Sequence, residues 1–376
     1  MQKYISLYES LKKDITNGVY RKGSRLPGKR TMADLKDVSV ITVAHAYELL
    51  TEEGYIESRL RSGFYVIYTE GDYYTGKVPE HVSGKEKAQD ARAGSYEGKT
   101  GKAISAEEIS GKEEPRFSPA LYAKTARRVL SAYPEAVMER SPGFGNEYLR
   151  SVLADYLKRS RHITVDPQQI LIGAGAEYLY GMVIRSLGRD IVYGIETPGY
   201  MRIEQSYIDD GASIDLMPLG KDGIESKALW NTEARVLHIT PYRSFPTGVT
   251  ASAGKKAEYL EWSRSRNGIL IEDDFESEFT PLRKTEDTLF SLDRAGTVLY
   301  INTFTKTIGP SVRIAYLLIP KRLLARFTDR IGAYACPVPT LDQLILAELI
   351  ENGDFERHIN RVRRQNRINR MKKEKK

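Results

Sequence analysis

Cysteine is almost absent. A single residue, Cys336, in 376 leaves no partner for an internal disulfide and excludes a Cys-rich metal centre. Histidine is scarce as well: His45, His81, His162, His238 and His358 lie too far apart to show metal-ligand spacing. No stretch approaches the roughly 20 apolar residues of a membrane-spanning helix. The opening Met1-Gln-Lys-Tyr-Ile-Ser6 lacks the apolar run of a secretory signal. These absences point to a cytoplasmic protein. What remains is 41% hydrophobic with 24 Tyr, which excludes a wholly disordered chain. The length suggests roughly two to three domains, with cores large enough to enclose a ligand. A net charge of +7 and a pI of about 9.1 favour an anionic partner without naming it.

Composition divides the chain into zones. Residues 1–70 are helix-patterned and rich in Lys and Arg. Residues 71–115 hold hardly any large aliphatic side chain, a composition that cannot bury a core and reads as a flexible linker. From 116 onward, apolar runs alternate with helical stretches: Gln169-Ile-Leu-Ile-Gly173, Asp190-Ile-Val-Tyr193, Val236-Leu-His-Ile239, Gly268-Ile-Leu-Ile271 and Val298-Leu-Tyr-Ile301. Short apolar runs between helices predict a buried, mostly parallel sheet in an α/β domain over 116–355. Residues 356–376 form a basic C-terminal segment. No internal repeat is visible.

The first zone has a readable plan. Tyr4, Tyr8, Leu11 and Ile15 share a helical face, and Asn17-Gly18 supplies a stop. A short helical stretch runs from Lys29 to Leu35. Ser39 is placed to cap a third helix with an apolar stripe of Val43, Ala46, Tyr47 and Leu50, ended by Gly54. Tyr55-Ile-Glu57 and Phe64-Tyr-Val66 read as strands joined by a turn with Arg61-Ser-Gly63. Three helices and a hairpin are the layout of a winged helix-turn-helix. Lys29 and Arg30 suit phosphate or guanine contacts, and the third helix offers Val40, Ile41, Thr42, Ala44 and His45 to a groove. A small helical interaction domain with a solvated basic face fits the same pattern.

The second zone carries the chemistry. In Tyr300-Ile-Asn-Thr-Phe-Thr-Lys-Thr-Ile-Gly-Pro-Ser-Val-Arg313 a strand delivers Thr303, Thr305 and Lys306 into a turn, and Arg313 follows. A lysine at a strand end among apolar neighbours is a candidate for a Schiff base, with the hydroxyls and Arg holding a phosphate. A surface lysine after an edge strand is the plainer alternative. Gly268-Ile-Leu-Ile-Glu-Asp-Asp-Phe275 is a buried-type strand ending in acids, suited to a protonated ring nitrogen or simply to capping the next element. Gly173-Ala-Gly-Ala-Glu177 opens a helix where a phosphate would be welcome. Tyr200, in Glu196-Thr-Pro-Gly-Tyr, either stacks on a flat ring or packs in the core.

The run LPGKRTMADLKDVSVITVAHAYELLTEEGYIESRLRSGFYV, 26–66, resembles the winged helix of the GntR family. The resemblance implies that Arg30, Ser39, Thr42 and the wing near Gly63 touch double-stranded operator DNA. Val40 stands where the family usually has Arg, and Arg61 where it has a first wing Gly, so Arg61 is expected to compensate through phosphate or the minor groove. The ordered segments SPGFGNEYLRSVLADYLK, GAGAEYL, ETPGY, TPYRSFPTG, IEDDFESEF and INTFTKTIGPSVRIAY resemble fold-type I pyridoxal phosphate (PLP) aminotransferases, above all the aminotransferase-like domain of MocR-type regulators.

The resemblance implies an internal aldimine at Lys306, Asp273 on the pyridine nitrogen, Tyr200 on the ring, and Ala176, Glu177, Thr303, Thr305 and Arg313 around the phosphate. Phe245 replaces the Asn of aminotransferases, as in many of the regulators. Phe275 replaces a Tyr whose hydroxyl would meet the cofactor, which is expected to alter aldimine ionisation or weaken binding. The family's small C-terminal domain is matched only at its start, so a chain shortened at the C-terminus is expected, without the Arg that grips a substrate carboxylate. The expected function is a homodimeric, PLP-dependent transcription regulator sensing PLP or an amine or amino-acid effector, and not an enzyme. A working aminotransferase, or a DNA-binding fusion that has lost its cofactor, are the alternatives.

Overall fold

The computed structural model describes residues 3–52, 55–59, 62–68, 117–280, 287–332 and 334–374. The predicted linker, 71–115, lies outside the described residues, as do Gly54 and Arg61. The chain forms two compact units, and the division between them falls within a helix, α4 (Pro119–Ala132).

In the first unit, α1 (Lys3–Thr16), α2 (Lys29–Lys36) and α3 (Val40–Glu52) precede an antiparallel hairpin of β1 (Ile56–Arg59) and β2 (Gly63–Val66). Leu7, Leu11 and Ile15 of α1 meet Val43, Tyr47 and Leu50 of α3 in one core with Leu26, Met32, Ile56 and Val66. Tyr4 and Tyr8, expected on that face, are only half-buried. The Tyr47 hydroxyl donates to the Pro27 carbonyl at 2.7 Å, which ties α3 to the entry of α2. Asp37 ends α2 in the left-handed region, φ 49°.

The second unit is built on seven strands: β3 (Ile170–Gly173), β4 (Val192–Thr197), β5 (Ser213–Pro218), β6 (Val236–Ile239), β7 (Ile269–Asp273), β8 (Val298–Thr303) and β9 (Ala315–Leu318). Their order across the sheet is β3-β9-β8-β7-β6-β4-β5. Five strands, β8 through β5 in that order, are mutually parallel, whereas β9 is antiparallel to both neighbours. The sheet is mostly parallel, as expected, with β9 its reversed strand. Between β8 and β9 the chain has only residues 304–314 and no crossover helix, and a short return of that kind gives an antiparallel pair.

Both faces of the sheet are covered. Ile170, Ile172, Tyr300, Tyr316 and Leu318 point into one core with α5 (Glu147–Arg161), α12 (Thr340–Glu351) and the start of α13 (Asp354–Glu374). Leu171, Leu299, Ile301 and Leu317, the alternate positions, point into the other with α6 (Ala176–Leu187), α7 (Met201–Asp209) and α11 (Lys321–Ile331). That two-residue alternation is the pleat itself. It explains why the strands read as continuous apolar runs. Two further helices, α8 (Ser226–Asn231) and α9 (Ala253–Ser265), and the short α10 (Leu289–Leu292) complete the unit. The Asn146 side chain accepts from the Tyr148 and Leu149 amides to start α5.

Candidate functional site

Strands β3, β4, β6, β7 and β8 share a direction, so their carboxyl ends lie along one edge of the sheet, where ligand groups gather in open α/β sheets. The candidate residues stand at or just beyond these ends. After β3 the backbone turns through Gly175, φ +94°, into α6. A Cβ at this position would fall 2.6 Å from Nη2 of Arg313, the residue that leads into β9. Glycine thus satisfies both the turn and the close approach of the guanidinium. Ala176 and Glu177 form the first turn of α6, with their N–H groups at the positive end of the helix. The Glu177 carboxylate lies 3.5 Å from Arg313 and 3.4 Å from Arg202.

From β8 come Thr303, whose hydroxyl is 2.8 Å from that of Thr305, and then Lys306. The Lys306 ammonium donates to Glu276 at 3.0 Å and sits 4.5 Å above the Phe275 ring. The other Glu276 oxygen faces Arg243 at 3.4 Å. Tyr200 starts α7 and meets Phe245 edge-on, with ring centroids 5.9 Å apart.

Asp273, the last residue of β7, is 4% exposed. Its Oδ2 accepts from the Tyr180 hydroxyl at 2.5 Å and lies 3.4 Å from Nε2 of His238. His238 Nδ1 is 3.0 Å from the Tyr207 hydroxyl. Burial, and then the Asp273 charge, push the Tyr180 phenol well above its ordinary range, and burial does the same for Tyr207. Both phenols therefore keep their protons, and that of Tyr180 is donated to the Asp273 carboxyl. Close by, Glu196 at the end of β4 accepts from Ser244 at 2.8 Å, and burial raises its carboxyl to about 8.

The winged unit places its own candidates on the surface. Ser39 accepts from the Thr42 amide at 3.1 Å, and the two hydroxyls lie 2.9 Å apart, which caps α3. Lys29 opens α2 with its ammonium 5.3 Å from the centre of the Phe64 ring, and Arg30 is exposed beside it. His45 is exposed and meets Tyr4 edge-on at 5.7 Å. Gly63 adopts φ +116°, and a Cβ there would press on the Arg25 side chain at 3.0 Å. Backbone geometry is thus enough to require glycine at 63. Arg25 and Arg59, the latter 4.4 Å above the Tyr65 ring, add cations to the wing that the sequence pattern did not single out.

Comparison with known proteins settles the family. Residues 3–66 match the model of bacterial regulatory proteins of the gntR family. A Bacillus subtilis HTH-type transcriptional regulator, YhdI, is 30% identical over 363 residues, covering 96% of this chain and 75% of the relative. This chain is a GntR-family regulator of the MocR type. The probable rhizopine catabolism regulatory protein MocR of Rhizobium meliloti is 28% identical over 95% of this chain and 73% of its own length. Among solved structures, the α-aminoadipate aminotransferase LysN of Thermus thermophilus, complexed with N-(5'-phosphopyridoxyl)-L-leucine, superposes with a TM-score of 0.60 at 25% identity. That likeness covers 66% of this chain and 64% of the enzyme's chain. The regulator thus joins a DNA-binding winged helix to an aminotransferase-like unit.

In this GntR-family regulator the residues that sequence reasoning missed are those lying behind the reactive edge. His238 left one signal, a lone polar residue inside the buried run Val236-Leu-His-Ile239. Tyr180, Tyr207 and Glu196 left none, because their partners, Asp273, His238 and Ser244, are distant in the chain and meet them only in three dimensions.

Proposed function

We propose that the aminotransferase-like unit holds PLP as a sensor for an amine or amino-acid effector, and that its state sets the affinity of the winged helix for operator DNA. The proposed organisation is a DNA-binding domain over 1–70, a connection over 71–115, a PLP-binding domain over 116–355 and a basic segment over 356–376. The proposed working form is a cytoplasmic homodimer, because a helix-turn-helix pair reads two half-sites. One observation carries the reading: a lysine and a buried, hydrogen-bonded carboxylate converge on the same sheet edge as a glycine turn fitted around an arginine.

The residues present fit the group. Asp273 uses Oδ2 for Tyr180 and His238, which leaves Oδ1 for a protonated ring nitrogen. The amides of Ala176 and Glu177, the hydroxyls of Thr303 and Thr305, and Arg313 would hold the phosphate. Arg313 is half exposed and its pairing with Glu177 is long, so exchanging that carboxylate for a phosphate costs little. PLP supplies an aldehyde that condenses with primary amines. Lys306 presents such an amine, and Glu276 and Phe275 hold it at the mouth of the site. The Phe275 ring offers no hydroxyl to the bound group. Phe245 supports the Tyr200 ring in a face suited to stacking.

A second reading, turnover as an aminotransferase, is favoured by the fold likeness to LysN. One experiment separates the two. Titration of the purified protein with PLP is expected to develop a visible band that borohydride fixes on the peptide containing Lys306, and Lys306→Ala is expected to lose it. Label on another lysine, or a colourless protein, overturns the sensor site. Release of a keto acid from amino donors at a catalytic rate overturns the sensor in favour of the enzyme.

A further inference from the structure

In helix-turn-helix proteins the N-terminal residues of the recognition helix contact base edges, and the outward side chains of the first turn of α3 are unusual in chemistry. Val40 is 44% exposed and Ile41 70% exposed. Neither side chain has a hydrogen-bond donor or acceptor. The polar side chains around them, Ser39 and Thr42, are engaged with each other at 2.9 Å, and the Ser39 oxygen also accepts the Thr42 amide. The cations of the neighbourhood, Lys29 and Arg30, start a different helix, α2. Charge for the phosphates is therefore supplied by α2, while the leading face of α3 is apolar.

Neither of these adjacent β-branched residues belongs to the core, which is closed by Val43, Ala46, Tyr47 and Leu50; Val40 flanks that stripe and Ile41 points away from it. Base edges in the major groove are mostly donors and acceptors, and the one apolar group on an unmodified base pair is the thymine C5-methyl. We infer that Val40 and Ile41 read thymine methyl groups, so that this regulator selects operator half-sites by T methyls where a polar first turn would select by hydrogen bonds. The inference rests on the family's DNA binding and names the base class that this chain's own residues recognise. Phosphate contacts from Lys29 and Arg30 set register, and Ser39 and Thr42 hold the turn rigid while the two apolar side chains make dry contact.

The test uses the full chain and an operator duplex selected from random DNA. Each thymine is replaced in turn by deoxyuridine, which removes the methyl and leaves base pairing intact. One or two positions per half-site are expected to lose about fourfold in affinity, as for one methyl withdrawn from an apolar contact. Cytosine replaced by 5-methylcytosine at the same positions is expected to recover part of a C-for-T loss. Val40→Ala/Ile41→Ala, whose side chains lie outside the core, is expected to erase the deoxyuridine effect while keeping non-specific, salt-dependent binding. Indifference to deoxyuridine at every thymine overturns the assignment while leaving DNA binding intact. Persistence of the effect in the double variant also overturns it. A library in which no sequence is enriched overturns base reading altogether.

Discussion

Glu196 and Asp273 are two buried carboxyl groups on one sheet edge with different partners. Asp273 accepts the Tyr180 hydroxyl on Oδ2, with Nε2 of His238 3.4 Å from the same oxygen. Glu196 accepts from Ser244 and from the Thr240 backbone, which favour its charged form, but burial outweighs both and raises it from 4.5 to about 8. Between those two values the folded chain keeps a proton that the unfolded chain has released. Stability therefore falls as pH rises through the window, by about 1.4 kcal/mol per pH unit, and levels off above it. Glu196→Gln keeps an acceptor for Ser244 and removes the titration. Urea midpoints for the variant and the parent are expected to coincide near pH 4.5 and to favour the variant increasingly toward pH 8; a gap that does not vary with pH would show that burial of Glu196 is not the cause. At this scale the sequence was half legible. Lys306, Asp273 and Arg313 stand at strand ends, where linear order alone marks them. His238 and Glu276 acquire their partners through the pairing of β6 with β7 and of β7 with β8, and Tyr180 through the packing of α6 on the sheet; no local pattern encodes either.

Among the elements, α13 departs most from its sequence. Residues 356–376 read as a basic segment, yet the chain forms a helix over Asp354–Glu374 whose first turns bury Phe355, His358, Ile359 and Val362. Phe355 packs edge-on against Tyr156 and Phe304, and Arg363 donates to the Glu278 carbonyl at 2.5 Å. The apolar stripe was present in the sequence, but the surrounding arginines masked it. His358 lies edge-on to Phe117 and Phe279. Burial, and then Arg361, push it down from 6.5 to about 4. It is therefore neutral in the folded chain, and protonating it favours the unfolded one. Stability supplied by this contact is expected to be complete above pH 6.5 and to drain away as the pH falls toward 4. Hydrogen exchange of the α13 amides near pH 4.5 should accelerate relative to pH 7 after correction for intrinsic rates, and His358→Gln should blunt the difference. Equal protection at both values would refute it. Other elements were easier to read: β3, β4, β6, β7 and β8 are buried runs. β5 was missed because, as the sheet's last strand, it leaves Ser213, Leu216 and Pro218 exposed.

For the whole molecule, a sensor joined to a DNA-binding module obeys linkage. Whatever factor PLP applies to operator affinity, operator must apply to PLP affinity. Typical couplings of about 1–3 kcal/mol correspond to roughly 5–150-fold. Operator titrations with and without PLP, matched by PLP titrations with and without operator, are expected to return one common factor different from unity. A factor of one in both directions would mean that the two functions merely share a chain.

Time enters through the order of the strands. β3, the first strand of the large sheet to be synthesised, pairs with β9 and with no other strand in it. No nascent chain shorter than about 315 residues can complete that pairing, and so none can set Gly175 against Arg313. The winged unit's last strand ends at Val66. Its local contacts form early and quickly, whereas the wide separation of β3 and β9 makes the sheet slow to close. At synthesis rates of about 5–20 residues per second, the reader of DNA precedes its own control by roughly 10–50 s.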